Sequence, residues 1–435
     1  MNMKRDILQS LAAWKNKEGR KPLILLGARQ VGKTHILKEF GKQHFSHTAY
    51  INCDNNELAK DLFTQDYDIK RILIAINSLC GVPIIPGKTL IILDEIQEIS
   101  RGLNSLKYFC ENAPEYHVAA AGSLLGITLH HGESFPVGKV NTINLYPMSF
   151  GEFLTAKGRD DLRQLLNNHQ WDVISSLKSL FIQCLREYYF VGGMPEAVLK
   201  FITTGDTTKV REVQNEILLA YEKDISKHAQ SNEAVRISQV WASIPSQLAK
   251  ENSRFIYGAV RNGARAKDFE VAIQWLIDAG LVIKVDRVSK ASFPLKVYAN
   301  FNCFKLYMLD CGLLGAINEI PASMILLPNA ANESKGYFTE NFVCTQLKAL
   351  SNLSIYYFSK ENSTQEVDFM LQTADEITAI EVKAEENLQS KSLKAFHAEN
   401  PDVKCIRTSM ANYIENDWLT NVPLYAISDY ISMIR

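Results

Sequence analysis

Gly27-Ala28-Arg29-Gln30-Val31-Gly32-Lys33-Thr34 is the stretch that decides the fold. It has the spacing G-x-x-x-x-G-K-[ST], with the apolar run Leu23–Leu26 before it and a helical pattern from Lys33 onward. That context, strand then loop then helix, is the one a phosphate-binding loop requires. Gly27 and Gly32 admit backbone angles that a Cβ would forbid. The backbone N–H groups of residues 27–34 are then expected to converge on phosphate oxygens at a helix N-terminus. Lys33 supplies a point charge for the terminal phosphates, and the Thr34 hydroxyl is a Mg²⁺ ligand. A chance match to the bare pattern is expected in roughly a few of every hundred chains of this length. The flanking strand and helix make chance a weaker rival still.

Working outward, short apolar runs recur at Ala49–Asn52, Leu90–Leu93 and Val118–Ala121, with a fifth strand expected around Thr142–Tyr146. Such runs, separated by helical stretches, predict an α/β unit with a parallel sheet buried on both faces over residues 1–150. The run Leu90-Ile91-Ile92-Leu93 ends in Asp94-Glu95. Acids at the buried end of a central strand are costly unless they hold a cation or a water. Asp94 is therefore read as a Mg²⁺ ligand through water, and Glu95 as the base that polarises the attacking water. An exposed strand end would explain the pair equally well if it stood alone. Ser123, just past Val118–Ala121, is a third candidate for contact with a γ-phosphate, against a plain turn. Lys139 is considered as a positive finger reaching a second copy, though a solvated surface lysine is the simpler reading.

Residues 151–230 have a helical pattern broken by Val191-Gly192-Gly193-Met194-Pro195, a sharp turn. Residues 231–330 hold helices expected at Val235–Lys250 and Ala266–Ala279. Extended pieces follow at Leu281–Val288 and Leu295–Ala299, an order that suggests a winged-helix-like unit. Seven basic residues there, Lys250, Arg254, Arg261, Arg265, Lys267, Arg287 and Lys290, are candidates for phosphate contacts. The rival reading is a solvated face, because the formal net charge of the 435-residue chain is only −1. Residues 331–435 return to mixed α/β. In that part Ala379-Ile380-Glu381-Val382-Lys383 has Glu381 and Lys383 two apart, on one face of a strand. Pairing with Glu366–Leu371 would set Asp368 beside Glu381, and Glu340 on the helix Tyr337–Leu350 would add a third acid. Glu340, Asp368 and Glu381 with Lys383 suit a divalent-metal phosphodiester site holding Mg²⁺ or Mn²⁺. Salt bridges on an exposed hairpin are the competing explanation.

The hydrophobic fraction of 46% and charged fraction of 22% are ordinary for a globular protein with real cores. No apolar run approaches the roughly 18 residues that would span a bilayer, and the N-terminus has no apolar leader. The eight cysteines include no CxxC pair and are read as reduced. A cytoplasmic protein with no membrane partner is expected.

Nine segments in order carry a resemblance over nearly the whole chain. They are GARQVGKT at 27–34, IILDEIQ at 91–97, AGSLLG at 121–126, LYPMSFGEF at 145–153, YYFVGGMPEAV at 188–198, KLYMLDCGLLGA at 305–316, GYFTENFVCTQL at 336–347, EVDFML at 366–371 and IEVKA at 380–384. The chain resembles a family of bacterial and archaeal ATP-binding proteins. Those proteins have an N-terminal AAA-type ATPase domain and a C-terminal domain similar to the PD-(D/E)XK nuclease fold. The resemblance implies a RecA-like sheet of order 5-1-4-3-2 and a winged-helix-like middle. It also implies nuclease-motif roles for Asp368, Glu381, Lys383 and the helix-borne Glu340. Lys139 stands where such proteins often have arginine, and lysine lacks the bidentate fork. The family's biological role is not settled. The expectations are therefore a Mg-dependent ATPase whose nuclease-like domain binds or cleaves nucleic acid, or a regulatory ATPase switch that binds DNA or protein without cleavage. A homo-oligomer or a protein partner is compatible with either.

Overall fold

The computed structural model describes residues 3–99, 101–122, 136–229, 231–250, 254–327, 335–350, 353–360, 365–386 and 389–435. Two compact units form, one of residues 4–146 and a larger one of residues 147–277 and 281–435.

In the first unit five strands make one all-parallel sheet. They are β1 (Leu23–Leu26), β2 (His47–Asn52), β3 (Thr89–Asp94), β4 (His117–Ala121) and β5 (Asn141–Asn144), in the order β2-β3-β4-β1-β5. Read from the other edge this is 5-1-4-3-2, as expected. The central strands β3, β4 and β1 are near-continuous apolar runs because both faces are covered, whereas the edge strands β2 and β5 carry polar, partly exposed residues. On one face Ile24, Ala49, Ile51, Ile91, Leu93, Val118 and Ala120 pack with residues of the helices Glu57–Thr64, Ile69–Cys80 and Gly102–Asn112. The alternate residues Leu23, Leu25, Leu90, Ile92, Ala119 and Ala121 are equally buried. The helix Lys33–His44 runs against β2, β3 and β4.

The larger unit begins with helices and closes with a mixed sheet. Its strands are β6 (Val282–Val288), β7 (Ala299–Met308), β8 (Ile355–Ser359), β9 (Glu366–Gln372), β10 (Ile377–Val382), β11 (Lys404–Ser409), β12 (Ile414–Glu415) and β13 (Leu419–Pro423). They lie in the order β12-β13-β11-β10-β9-β8-β6-β7. The expected ribbon differs in its second half. Residues Leu295–Tyr298 form a 3₁₀ turn, with Leu295 buried in the core of the sheet, and the strand proper is Ala299–Met308. The β6–β7 pair is also the edge of the eight-stranded sheet, since β6 pairs in parallel with β8. Among the described residues no helix is long and apolar enough to cross a membrane.

Four of the sequence segments meet in this unit at a polar joint. The helix Lys178–Val191 stops at Gly192, whose φ is 74°, and the next helix starts at Pro195. Gly193 N–H donates to Asp310 Oδ2 at 2.6 Å, and Gly193 O accepts from Met148 N–H at 2.7 Å. Tyr188 Oη donates to Met148 O at 2.6 Å and accepts from Gln346 Nε2 at 3.2 Å. Asp310 Oδ1 caps the next helix by accepting from Leu313 N–H at 2.9 Å. Burial pushes the Asp310 carboxyl up to about 6, and the N–H groups of Gly193, Leu313 and Gly312 oppose that rise. The joint thus explains these segments as architecture. A Cβ at Gly193 would lie 2.1 Å from Met148 O. Gly193→Ala is expected to destabilise the larger unit by about 1–3 kcal/mol, the usual cost of overpacking. Urea unfolding of the two proteins, followed by circular dichroism, checks this; equal midpoints would show that the joint gives way freely.

Candidate nucleotide site

β1 ends at Leu26 and the loop 27–32 leads directly into the helix Lys33–His44. Gly27 has φ 151°, and a Cβ there would sit 2.3 Å from Leu145 O, so only glycine fits without movement. Gln30 and Gly32 also have positive φ, 66° and 97°. The loop is fixed from outside by Arg5, which the sequence reading missed. Its guanidinium donates to Val31 O at 3.1 Å and to Tyr146 O at 2.6 Å. Nothing local to Arg5 announces this, because its partners are far along the chain.

Lys33 is buried and donates to Gly27 O at 2.9 Å and Ala28 O at 2.8 Å, so its ammonium lies across its own loop. Burial lowers its pKa to about 8, while Glu95 and Asp94 pull it back upward. Two groups donate to Asp94 Oδ2: Thr34 Oγ1 at 2.6 Å and Tyr50 Oη at 3.0 Å. Asp94 Oδ1 is buried without a hydrogen-bond partner. Tyr50 was not read from the sequence. It projects from β2, two residues before Asn52, which pairs in register with Asp94. Burial and then Asp94 raise the Tyr50 phenol, which stays protonated as a donor. Burial, with Asp94 and Glu95, also pushes the nearby Cys53 thiol up to about 12, which makes it a poor nucleophile.

The sheet register explains the meeting of Thr34 and Asp94. Leu25, Ala121 and Asp94 lie in one row across β1, β4 and β3. The loop after β1 and the acid ending β3 therefore share the carboxyl edge of the sheet, where open α/β sheets bind ligands. Glu95 follows with φ 51°, a left-handed conformation rare outside glycine. Gln97 Nε2 donates to its Oε2 at 2.6 Å. Strain of this kind clusters at functional positions. Arg29 and Gln30 are exposed at the loop's tip, while Ala28 and Val31 are buried beneath it. Ser123 lies outside the described residues. Lys139 pairs with Glu111 at 2.8 Å, an exposed ion pair within its own unit.

The residues present fit Mg²⁺. The donor set is a hydroxyl and a carboxylate, both hard oxygen ligands, and Asp94 Oδ1 is a buried acceptor awaiting a partner.

The C-terminal acids are arranged differently from the expectation. β9 and β10 pair antiparallel, with Ile380 opposite Phe369, and Val382 N–H donates to Asp368 Oδ2 at 2.7 Å. The register of β9 against β8 slips between Val367 and Met370, and both residues enter the same core although they are three apart. Strict alternation therefore fails at Asp368. Glu381 pairs with Lys383 at 2.9 Å and lies in register with Arg407; its Oε2 is buried without a partner. Asp368 has Glu340, Lys305 and Glu366 as charged neighbours. Burial first and Glu340 second push its carboxyl up to about 8, against Lys305 and the Val382 N–H. Lys305, 1% exposed, stands 2.6 Å from Glu366 Oε1 and 3.7 Å from Glu340 Oε2. Burial works to lower its pKa, but Glu340, Glu366 and Asp368 together hold it above the ordinary lysine value. Tyr307 Oη donates to Glu340 Oε2 at 3.1 Å. Lys383 thus keeps the expected company of Glu381, but it is not the ammonium among Glu340, Glu366 and Asp368. Lys305 is, and the signal for it was a lysine inside the apolar run Phe304–Met308. Among the described residues no three His, Cys, Asp or Glu side chains are placed to hold one metal ion.

Of the seven basic residues of the middle region, Arg287 is buried and cannot present itself to a phosphate backbone. The other six are exposed.

Comparison with known proteins agrees with the first unit. Residues 19–154 match a family model described as an AAA domain. Residues 182–323 and 335–431 match two families described as domains of unknown function, DUF8612 and DUF4143. No curated protein matches the sequence. Among solved structures, the Aeropyrum pernix Orc1 protein in complex with DNA is 11% identical, with a TM-score of 0.25 over 74% of this chain and 92% of that one. Cdc6p from Pyrobaculum aerophilum is 12% identical, with a TM-score of 0.24 over 72% and 92% of the two chains. Drosophila ORC bound to DNA is 13% identical, with a TM-score of 0.28 over 72% and 94%. No residue role is drawn from superpositions this loose. By the family match and the loop geometry, residues 19–154 are similar to AAA domains and carry a phosphate-binding loop.

Proposed function

We propose that this protein binds and hydrolyses Mg-ATP at the loop 27–34, and that its larger unit is a binding module without nuclease activity. The observation that carries the first half is the Thr34–Asp94 hydrogen bond, which joins the phosphate loop to the acid at the end of β3. Bound Mg²⁺ would neutralise charge on the β- and γ-phosphates. Thr34 and Asp94 would hold it. Lys33 exchanges the carbonyls of Gly27 and Ala28 for phosphate oxygens. Glu95 takes a proton from the attacking water, its carboxylate oriented by Gln97.

The second half rests on the C-terminal arrangement, in which Asp368 faces Lys305 and Glu340 while Glu381 is taken by Lys383. DNA remains the partner best matched by the exposed residues Lys250, Arg254, Arg261, Arg265, Lys267 and Lys290. The test is incubation of DNA with the full chain, Mn²⁺ and ATP beside an Asp368→Ala/Glu381→Ala control, with phosphate release read in parallel. Release of phosphate in both, with no DNA cleavage beyond the control, is the expected result. Cleavage present in the wild type and lost in the control would establish a nuclease instead.

A further inference from the structure

The acids of the larger unit sit round a cation that the chain itself provides. Lys305 is on β7, an edge strand, yet its side chain is almost wholly buried. Buried ammonium groups are rare and persist only when paired. Here the pairing comes from three acids on two elements: Glu340 from the helix Lys335–Ala349, and Glu366 and Asp368 from β9. The remaining hydrogen-bonding capacity of the acids is met in part by the chain too. Tyr307 Oη donates to Glu340 Oε2, and Val382 N–H donates to Asp368 Oδ2.

A divalent ion at this place would have to share three carboxylates with an ammonium already 2.6 Å from one of them. Like charges at such range repel strongly in a buried site. Glu381, the further acid of the expected metal site, has one oxygen on Lys383 at 2.9 Å. Its other oxygen is buried without a partner, and one oxygen does not make a divalent site.

We propose that Lys305 is the built-in cation of the Glu340–Glu366–Asp368 cluster and stands where a divalent ion shared by these acids would have to sit. The cluster then needs no divalent ion to be stable. With Lys305 in place these acids are not set to hold one metal ion; removing the ammonium leaves three carboxyl groups without a counter-charge, free to turn toward a shared divalent ion. The inference goes with the reading of the larger unit as a non-cleaving module, yet it is tested by binding rather than by activity.

The experiment is calorimetric titration of Mn²⁺ into the nucleotide-free full chain, as wild type, Asp368→Asn, Lys305→Ala and Lys305→Ala/Asp368→Asn. The Asp368 variants separate this cluster from any uptake at Thr34 and Asp94. Wild type and Asp368→Asn are expected to titrate identically, while Lys305→Ala gains one Mn²⁺ per chain that the double variant loses. If Lys305→Ala does not fold, the wild-type comparison alone decides. A Mn²⁺ equivalent in the wild type that Asp368→Asn abolishes overturns the inference. So does a folded Lys305→Ala that takes up no additional ion. Divalent binding without DNA cleavage would leave the binding-module reading standing, whereas cleavage lost in the Asp368→Ala/Glu381→Ala control would remove both.

Discussion

Glu95→Gln is expected to keep Mg-ATP bound and to turn it over about 10²–10⁴-fold more slowly than the wild-type chain, the usual worth of a general base. The substitution changes little besides the charge. Glutamine has the shape of glutamate, and its carbonyl oxygen still accepts from Gln97 Nε2, which holds Glu95 Oε2 at 2.6 Å. The left-handed backbone at residue 95 is unchanged, so the side chain leaves the end of β3 in the same direction. What is lost is the proton acceptor. Steady-state phosphate release measures the effect directly, and a variant as fast as the wild type would show that Glu95 has no such part. Retained binding separates this outcome from a collapsed loop.

Lys33→Ala should act at the earlier step and lower Mg-ATP affinity by about 10²-fold or more. The magnitude follows from removing two charge-assisted hydrogen bonds at roughly 1.5–3 kcal/mol each. The Gly27 and Ala28 carbonyls lose an internal donor, so the folding of Lys33→Ala is checked alongside its binding. Thermal unfolding with and without nucleotide reads this out, because a ligand that binds only the folded state raises the midpoint. Mg-ATP should raise the wild-type midpoint and leave that of Lys33→Ala unmoved. Equal shifts in the two proteins would place nucleotide binding elsewhere.

The nucleotide site was legible in the sequence because its information is local. Gly27, Gly32, Lys33 and Thr34 lie within one strand–loop–helix, and Asp94-Glu95 directly end an apolar strand. The strand order came with the resemblance rather than from periodicity, and the register of β1, β4 and β3 then accounts for the meeting of Thr34 with Asp94. What escaped was non-local. Arg5 reaches Val31 and Tyr146 across the fold, and Tyr50 shares Asp94 only because β2 lies beside β3. At the C-terminal acids the failure was one of parity. Alternation put Asp368 with Glu381 and Lys383, but the slip in β9 makes Val367 and Met370 share a core, and Asp368 keeps company with Lys305. The strand Ala299–Met308 was likewise hidden, since its apolar half, Phe304–Met308, carries the lysine whose partners lie on other elements.

The most direct test of the central claim is calorimetric titration of Mg-ATP into the wild-type chain, Lys33→Ala and Glu95→Gln. Saturable uptake of one nucleotide per wild-type chain, matched by Glu95→Gln and absent from Lys33→Ala, is the predicted result. A wild-type chain that takes up no nucleotide, or a Lys33→Ala chain that takes it up as well as the wild type, would contradict it.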